Sequence, residues 1–528
     1  MDELTKLKRK ITTSFKLSGF VIRSENSAYL AEQLLPFDEA EREKWLTVIT
    51  DNLQGQRLQT AQVERGALEK AINEINRVGL DEGETVFAVI DAFKVPRYHY
   101  NTQYKKFELN QEARCILARP ALKAAHLRDR YAMLLQKTLR HELFAPQIIQ
   151  GGVSTESQVK KFKLLYAENL LASSTVKEAV ILGLLTQLKE GKFYLEDPTG
   201  SIELDLSATR FHSGFFCEGS FVLAEGSYNN GVLKVDGLGF PPAEPATSSR
   251  AFFGTQNSWG GDSLKLLKYS VRLQELENTN TEATLVFLSD VRLDNPVVLE
   301  RLRMLFVGYD SCPPIAIVLM GPFAASNSNY HALSQHLTAL GALATGCDEL
   351  KKQTDLIIVP SCEDPTAPNI LPRAPLPESL TSGLRKAWSR TICASNPCRL
   401  QYCTQQIVVC RLDLMAKFCR NTLHFPTDTD NIEQHFARTL ICQNHLTPIH
   451  PIAMPVHWGY DAALWLYPLP DLVVIGDSCQ SFSTTQHGCT VLNTGSFVKS
   501  KFAFKVYIPA THVIEDSEIP DDMTSLSA

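Results

Sequence analysis

The sequence predicts a multidomain α+β protein with a helical N-terminal domain, a small β-barrel and a C-terminal α/β sandwich. Three observations lead to this fold class. A chain of 528 residues is too long to fold around one hydrophobic core. The spacing of apolar residues changes from helical to a two-residue alternation near position 176. From about position 283, short runs typical of buried strands alternate with helical segments, which is the pattern of α/β layers.

Composition indicates a soluble globular protein and argues against two classes of function. The chain is 44% hydrophobic and 21% charged, with a formal net charge of −6. Proteins that mainly grip phosphate backbone depend on clustered Lys and Arg, so nucleic-acid binding is disfavoured as the main task. No apolar run reaches the roughly 18 residues that span a bilayer, so no membrane partner is expected. The N-terminal segment lacks the apolar core of a signal peptide, which favours an intracellular protein.

Thirteen cysteines in such a protein are expected to be buried small hydrophobes rather than disulfides. One cluster permits a zinc interpretation, because the first two gaps between its members hold four residues each. The segments 399–402 and 407–409 are predicted strands, however, and a strand spreads thiols apart. We therefore expect no metal and no cofactor at this cluster, which comprises Cys393, Cys398, Cys403, Cys410 and Cys419.

Residues 1–93 are predicted to form a small helical domain, because apolar residues recur at helical spacing at its start and at its end. A compact bundle with a charged surface is more often a docking module than an enzyme. Residues 94–175 follow as a linker with one convincing helix, and Pro146 lies just beyond the end of that helix. The helical patterns of the first domain include Leu4, Leu7, Ile11 and Phe15, then Val63, Ala67, Ala71 and Ile75, then Val86, Ile90 and Phe93; that of the linker helix is Leu127, Tyr131, Leu134, Leu135 and Leu139.

Residues 176–245 are predicted to form an OB-fold barrel, with five strands at 179–184, 192–196, 202–206, 221–224 and 232–235. Such barrels often bind single-stranded nucleic acid through a basic groove and stacking aromatics. Acids outnumber bases between Ala179 and Phe240, so we favour an aromatic core and a protein-facing surface over a nucleic-acid groove. The aromatic residues concerned are Phe193, Tyr194, Phe211, Phe215 and Phe216.

Residues 246–528 contain four buried-strand patterns, each of which runs into a short loop. The strands are 285–288, 315–320, 356–359 and 472–475. Loops of this kind suit a two-metal phosphoesterase centre, because each strand fixes one ligand rigidly and two metal ions clamp an in-line displacement. A working centre carries Asp-x-His, Gly-Asp, Gly-Asn-His-Asp and Gly-His-x-His at these four points.

Most of those ligands are missing from the first three loops. Asp290 survives in the first loop, but Arg292 stands where an imidazole is expected and, as a fixed cation, repels metal. Pro322 replaces the bridging acid of the second loop and offers no side-chain ligand. The third loop has Glu363 in place of an imidazole, with Asp364 following.

The last loop carries Asp477 and Cys479 where two imidazoles are expected. His445 is either a retained imidazole or a loop histidine bonded to backbone. Asp290 and Asp364 have a second interpretation as carboxylates that accept backbone N–H bonds at strand ends. The metal clamp cannot form without its bridge, so we expect no catalytic residue, no bound metal and no enzymatic activity. The leading hypothesis is an interaction protein; the alternatives are an active metal-dependent phosphodiesterase or nuclease, and a single-strand-binding barrel.

Seven short stretches, in order over nearly the whole chain, are similar to one family: SFKLSG at 14–19, TQLKEGKF at 186–193, EDPTG at 196–200, FLSDV at 287–291, NPCR at 396–399, HLTP at 445–448 and GSF at 495–497. On them the chain resembles the B-subunit family of the replicative DNA polymerases. That family joins an OB domain to a calcineurin-like phosphoesterase domain, and its eukaryotic members have lost the metal ligands. The resemblance implies a non-catalytic subunit in the nucleus. It would hold the zinc-binding C-terminal region of the catalytic subunit, help tether it to replicative helicase components, and meet DNA only through the holoenzyme.

Overall fold

The chain forms two compact units, Met1–Thr85 and Val86–Ala528. No helix among the described residues is both long and apolar enough to cross a membrane. The structure, a computed structural model, describes residues 3–34, 42, 45–47, 49–50, 53, 62–68, 71, 84–145, 161–254, 256–263, 265–325, 329–428 and 431–519.

In the described part of the first unit, the helices Glu3–Leu17 and Ser24–Leu34 pack their apolar faces together. Leu7, Ile11 and Phe15 are buried in its core, as their helical spacing predicts. The complete bundle predicted for residues 1–93 stays a prediction, because much of that segment lies outside the described residues. The described elements are α1 (Glu3–Leu17), α2 (Ser24–Leu34) and a parallel pair of short strands, β1 (Val21–Ile22) and β2 (Gln62–Val63).

The prediction that helical spacing continues through Val86, Ile90 and Phe93 is wrong. Strand β3 (Phe87–Asp91) lies there and pairs antiparallel with the strand Cys398–Tyr402. A stretch as short as this fits a helical and an extended pattern almost equally well, and its Val and Ile favour a strand once a partner is available. The segment therefore belongs to the unit that begins at Val86.

The predicted linker helix is confirmed as α3 (Ala121–Arg140), which follows a hairpin of β4 (Tyr98–Asn101) and β5 (Lys106–Leu109). Its buried Lys137 donates from Nζ to the carbonyl of Cys442 at 2.9 Å. The helix is therefore fixed to the C-terminal sandwich and is not a free linker.

The OB-fold barrel is confirmed, and several of its strands are longer than predicted. The order β10-β12-β11-β7-β8-β9 closes through pairing of β12 with β9, and β6 adds to β7. Of the aromatics expected to form the barrel core, Phe216 lies in it and Phe193 and Phe211 pack partly buried against it, whereas Phe215 is buried outside the barrel core. The elements are β6 (Leu164–Leu165), α4 (Ala167–Leu171), β7 (Thr175–Lys189), β8 (Lys192–Asp197), β9 (Gly200–Asp205), β10 (Arg210–Phe211), β11 (Phe221–Asn229) and β12 (Val232–Gly239).

Two six-stranded sheets form the C-terminal sandwich, in the orders β16-β15-β14-β13-β22-β23 and β20-β21-β19-β18-β17-β3. The four strands predicted before the loops are confirmed as β13, β14, β15 and β19. The strands are β13 (Leu285–Leu288), β14 (Ala316–Met320), β15 (Asp355–Val359), β16 (Thr391–Cys393), β17 (Cys398–Tyr402), β18 (Gln405–Arg411), β19 (Leu472–Gly476), β20 (Phe482–Gln486), β21 (Cys489–Asn493), β22 (Ala503–Ile508) and β23 (Val513–Glu518).

The two sheets pack face to face. Phe287 and Met320 of the first sheet share a buried core with Leu400 and Val474 of the second. Helices cover the outer faces, so the central strands are buried on both sides and appear in the sequence as continuous apolar runs. The helices are α5 (Ala246–Arg250), α6 (Val271–Thr279), α7 (Pro296–Tyr309), α8 (Tyr330–Leu343), α9 (Asp348–Gln353), α10 (Glu378–Ala387), α11 (Met415–Asn421) and α12 (Ile432–Gln443).

The barrel is joined to the sandwich by a buried interface. The loop before β11 inserts Phe215 into the sandwich core beside α11 and α12. Gln443 accepts from the amide of Phe221 at 2.9 Å and donates to its carbonyl at 2.6 Å. The Ser220 hydroxyl donates to the carbonyl of Pro448 at 2.8 Å. These polar contacts are buried and paired, so barrel and sandwich present one continuous body.

Candidate functional site

The four predicted loops meet at one end of the sandwich. β13, β14 and β15 are parallel neighbours, so their carboxyl ends share one edge of the first sheet. The amide of Gly321 donates to the carbonyl of Val359 at 3.0 Å and links the second loop to the third strand. A Cβ on Gly476 would lie 2.5 Å from Ser289 Oγ, so the loop from the second sheet touches the first loop.

Asp364 is buried and holds the second and third loops together. Its Oδ1 accepts from the amide of Phe323 at 2.9 Å, and its Oδ2 accepts from the amide of Ser361 at 2.7 Å. Burial raises the pKa of this carboxyl, although both amides favour its charged form. Its geometry is that of a loop-capping carboxylate, the second interpretation offered by the sequence. Glu363, its neighbour, is exposed to solvent.

Asp477 caps the start of α11. Its Oδ2 accepts from the amides of Leu414 at 2.7 Å and Met415 at 2.8 Å, and its Oδ1 accepts from the amide of Cys479 at 3.0 Å. Burial, with the nearby charge of Asp477, raises the pKa of the Cys479 thiol to about 12. A neutral thiol is a poor metal ligand, so this loop offers neither a free carboxylate nor a thiolate.

The first loop faces a shallow cleft. Asp290 has a left-handed backbone with φ of 59°, and its Oδ2 accepts from Ser496 Oγ at 2.5 Å. Arg292 Nε lies 3.5 Å from Asp294 Oδ1, at the same cleft. Pro322 follows Gly321 and provides no polar side-chain atom. The cleft has a volume of about 450 Å³ and is lined by Asp290, Arg292, Asp294, Asn295, Pro296, Val498 and Lys499.

His445 is buried, and its hydrogen-bond partners lie outside these four loops. Its Nδ1 accepts from the amide of Thr447 at 3.0 Å, and its Nε2 lies 3.2 Å from Asp461 Oδ1. Burial, and after it the charge of Arg130, lower the pKa of His445 to about 4 against the opposing effect of Asp461. The imidazole is therefore neutral at pH 7 with its proton on Nε2. This agrees with the second interpretation offered by the sequence, a loop histidine bonded to backbone.

Arg411 belongs to no motif singled out in the sequence, yet its side chain lies between the second and fourth loops. Its Nε donates to the carbonyl of Gly321 at 2.5 Å, and its Nη1 donates to the carbonyl of Gly476 at 2.8 Å. Nη1 also lies 3.2 Å from Asp413 Oδ1. Burial would raise the pKa of Asp413, but Arg411 and the amide of Ser478 hold it below its ordinary value. The available signal was an arginine directly after the apolar run 407–410.

A pair of metal ions does not fit these residues. Asp364 and Asp477 already accept two or three backbone amides each, and a guanidinium lies between the second and fourth loops. A bridging ligand is missing at Pro322. Within the described ranges, no group of three or more His, Cys, Asp or Glu side chains is arranged to hold a metal ion.

Comparison with known proteins matches three parts of the chain to families. The N-terminal family of DNA polymerases epsilon matches residues 3–75, and the OB-fold domain of proteins like DNA polymerase epsilon subunit 2 matches residues 120–242. The B-subunit family of DNA polymerases alpha and epsilon matches residues 285–484.

Whole-length relatives are similar to the chain along almost all of it. DNA polymerase epsilon subunit 2 of Drosophila melanogaster is 76% identical, and the match covers 99% of both chains. The Homo sapiens protein of the same name is 42% identical, over 97% of this chain and 99% of its own. Among solved structures, a novel archaeal phosphodiesterase aligns with 44% of this chain and 98% of its own, with a TM-score of 0.25 and 8% identity.

Proposed function

The chain belongs to the DNA polymerase epsilon subunit 2 family and is an accessory subunit of that replicative polymerase, and from this premise we propose that it works as a non-catalytic scaffold in the nucleus. It holds the zinc-binding C-terminal region of the catalytic subunit. It also helps tether the polymerase to components of the replicative helicase, and it meets DNA only through the assembled enzyme.

One observation carries the scaffold proposal: the barrel and the sandwich are joined by buried, paired contacts into a single body. A surface that spans both parts can bind a partner chain without rearranging, and pre-organisation of this kind strengthens binding because less freedom is lost on association. Phe215 in the sandwich core and Gln443 on the backbone of Phe221 hold the parts together.

A second observation supports the absence of catalysis. The buried carboxylates of the loops are engaged by backbone amides, and the group at their centre is a guanidinium rather than a metal-binding acid. Metal-assisted hydrolysis needs a bridging carboxylate and an activated water, and these residues provide neither part.

Co-purification tests the scaffold function. We expect the full chain to retain the C-terminal zinc-binding fragment of the catalytic subunit through affinity purification and gel filtration. The matched control is the same fragment with its zinc-ligating cysteines replaced, which should not be retained. Failure of the native fragment to bind would contradict the proposal.

A phosphodiesterase assay tests the absence of catalysis. The purified protein, supplied with Mn²⁺ and a generic phosphodiester, should show no turnover above that of its Asp290→Ala variant, because the carboxylate alone cannot hold a metal pair. Mn²⁺-dependent turnover that Asp290→Ala abolishes would establish the active phosphodiesterase alternative instead.

A further inference from the structure

At this end of the sandwich, loops from both sheets meet where the sequence predicts a two-metal centre without its ligands. Loops from two different sheets approach each other with peptide carbonyls aimed inward, at Gly321 from the first sheet and Gly476 from the second. Buried carbonyls without a partner are costly, so these two need donors.

We propose that the guanidinium of Arg411 is the resident cation of this site and takes the cross-linking place of the metal pair. Arg411 lies at the end of β18 in the second sheet, and its side chain is 3% exposed in the ion pair with Asp413. Nε bonds the loop of the first sheet and Nη1 bonds the neighbouring loop of its own sheet. One side chain therefore ties both sheets together at the point where the loops meet.

The backbone of Arg411 is fixed by a second side chain that also reaches the third loop. Asn396 accepts from the amide of Arg411 at 3.0 Å and donates to its carbonyl at 2.7 Å. The same Asn396 Nδ2 donates to the carbonyl of Pro360 at 2.9 Å, at the start of the third loop. Arg411 and Asn396 together connect the second, third and fourth loops.

The glycine at position 476 is part of the same arrangement. A Cβ there would lie 3.0 Å from Arg411 Cδ, 2.9 Å from Met320 Sδ and 2.5 Å from Ser289 Oγ. Only a glycine lets the side chain of Arg411 pass this close to the fourth loop.

The chemistry of the donor set favours a guanidinium over a divalent ion. A guanidinium is always protonated and donates several N–H groups in a fixed plane, which suits peptide carbonyl acceptors. Divalent ions prefer carboxylate or imidazole ligands, and here those carboxylates are occupied by backbone amides. The stability of this site should therefore not depend on metal concentration. This inference does not rest on which partner chain the protein binds.

Chemical rescue tests the proposal in the full chain. Arg411→Ala should lower the apparent unfolding temperature by on the order of 5 °C. Millimolar methylguanidinium should restore part of that loss, because it can enter the vacated space and donate to the same carbonyls. Mn²⁺ should restore none of it, and EDTA should leave the wild-type temperature unchanged.

Two further variants keep the test decisive. Leu400→Ala removes buried apolar volume from the sandwich core, so this variant should have a lowered unfolding temperature. Methylguanidinium should not restore that temperature. Arg411→Lys keeps the positive charge but not the planar set of N–H donors, so its unfolding temperature should fall by part of the loss in Arg411→Ala. It is the variant to measure if Arg411→Ala does not accumulate as folded protein. Three results would overturn the proposal. The first is wild-type stability in both variants of Arg411, and the second is rescue of Arg411→Ala by Mn²⁺. The third is a lowered unfolding temperature of Arg411→Ala that methylguanidinium does not restore.

Discussion

Gly219→Ala should loosen the barrel from the sandwich and lower the free energy of unfolding by about 3–5 kcal/mol. Gly219 lies in the loop before β11 with φ of 89°, a left-handed conformation that costs an L side chain about 1–2 kcal/mol. An added Cβ would also lie 2.7 Å from the amide nitrogen of His450 and 2.7 Å from the carbonyl carbon of Ile449. Both contacts are backbone atoms of the sandwich, which cannot rotate away, so overpacking adds the remaining cost.

A matched glycine separates the two causes. Gly231 has φ of 96° in the turn between β11 and β12, and a Cβ there would meet no atom within 4 Å. Gly231→Ala should therefore cost about 1–2 kcal/mol from backbone strain alone. Denaturant midpoints measure both variants, and limited proteolysis reports whether the barrel separates. Equal losses in the two variants would show that the contact with the loop of His450 contributes nothing.

The strands and loops that frame the site could be predicted because burial on both faces leaves a local signal. Residues 285–288 and 472–475 are continuous apolar runs for that reason, and the residue types after them predict the loss of the metal ligands. Capping by Asp364 could also be anticipated, because a carboxylate at a strand end commonly accepts backbone amides.

The parts that could not be predicted depend on partners distant in the chain. Strand β3 is a strand because β17, more than 300 residues later, pairs with it, and its own spacing fits a helix as well. Arg411 stood at the end of an apolar run, but its role depends on carbonyls at Gly321 and Gly476 that no local pattern reveals. His445 was among the metal-site candidates, whereas its hydrogen-bond partners are Asp461 and the amide of Thr447, outside the four loops.

Acidification should destabilise the second unit through His445. Burial and the charge of Arg130 hold the folded-state pKa of His445 at about 4, whereas an unfolded histidine titrates near 6.5. Between these values the unfolded state binds more protons than the folded state, so stability falls as pH falls from about 6.5 to about 4. The full loss from this one group is about 3 kcal/mol, and it is complete only below the folded pKa. Protonation at Nδ1 would also break the bond from the amide of Thr447.

His445→Gln isolates this contribution. The variant should be less stable than wild type at pH 7, because glutamine can donate an N–H to buried Asp461 but has no acceptor at the position of Nδ1, so the buried amide of Thr447 loses its partner. Its stability should nevertheless fall less steeply on acidification, by up to about 1.4 kcal/mol per pH unit between pH 4 and 6.5. Urea midpoints measured across that range test the difference, with exposed His331→Gln as the control that should keep the wild-type slope. An unchanged slope in His445→Gln would mean that the imidazole is already protonated in the folded protein, and the pair with Asp461 would then be an ion pair rather than a neutral hydrogen bond.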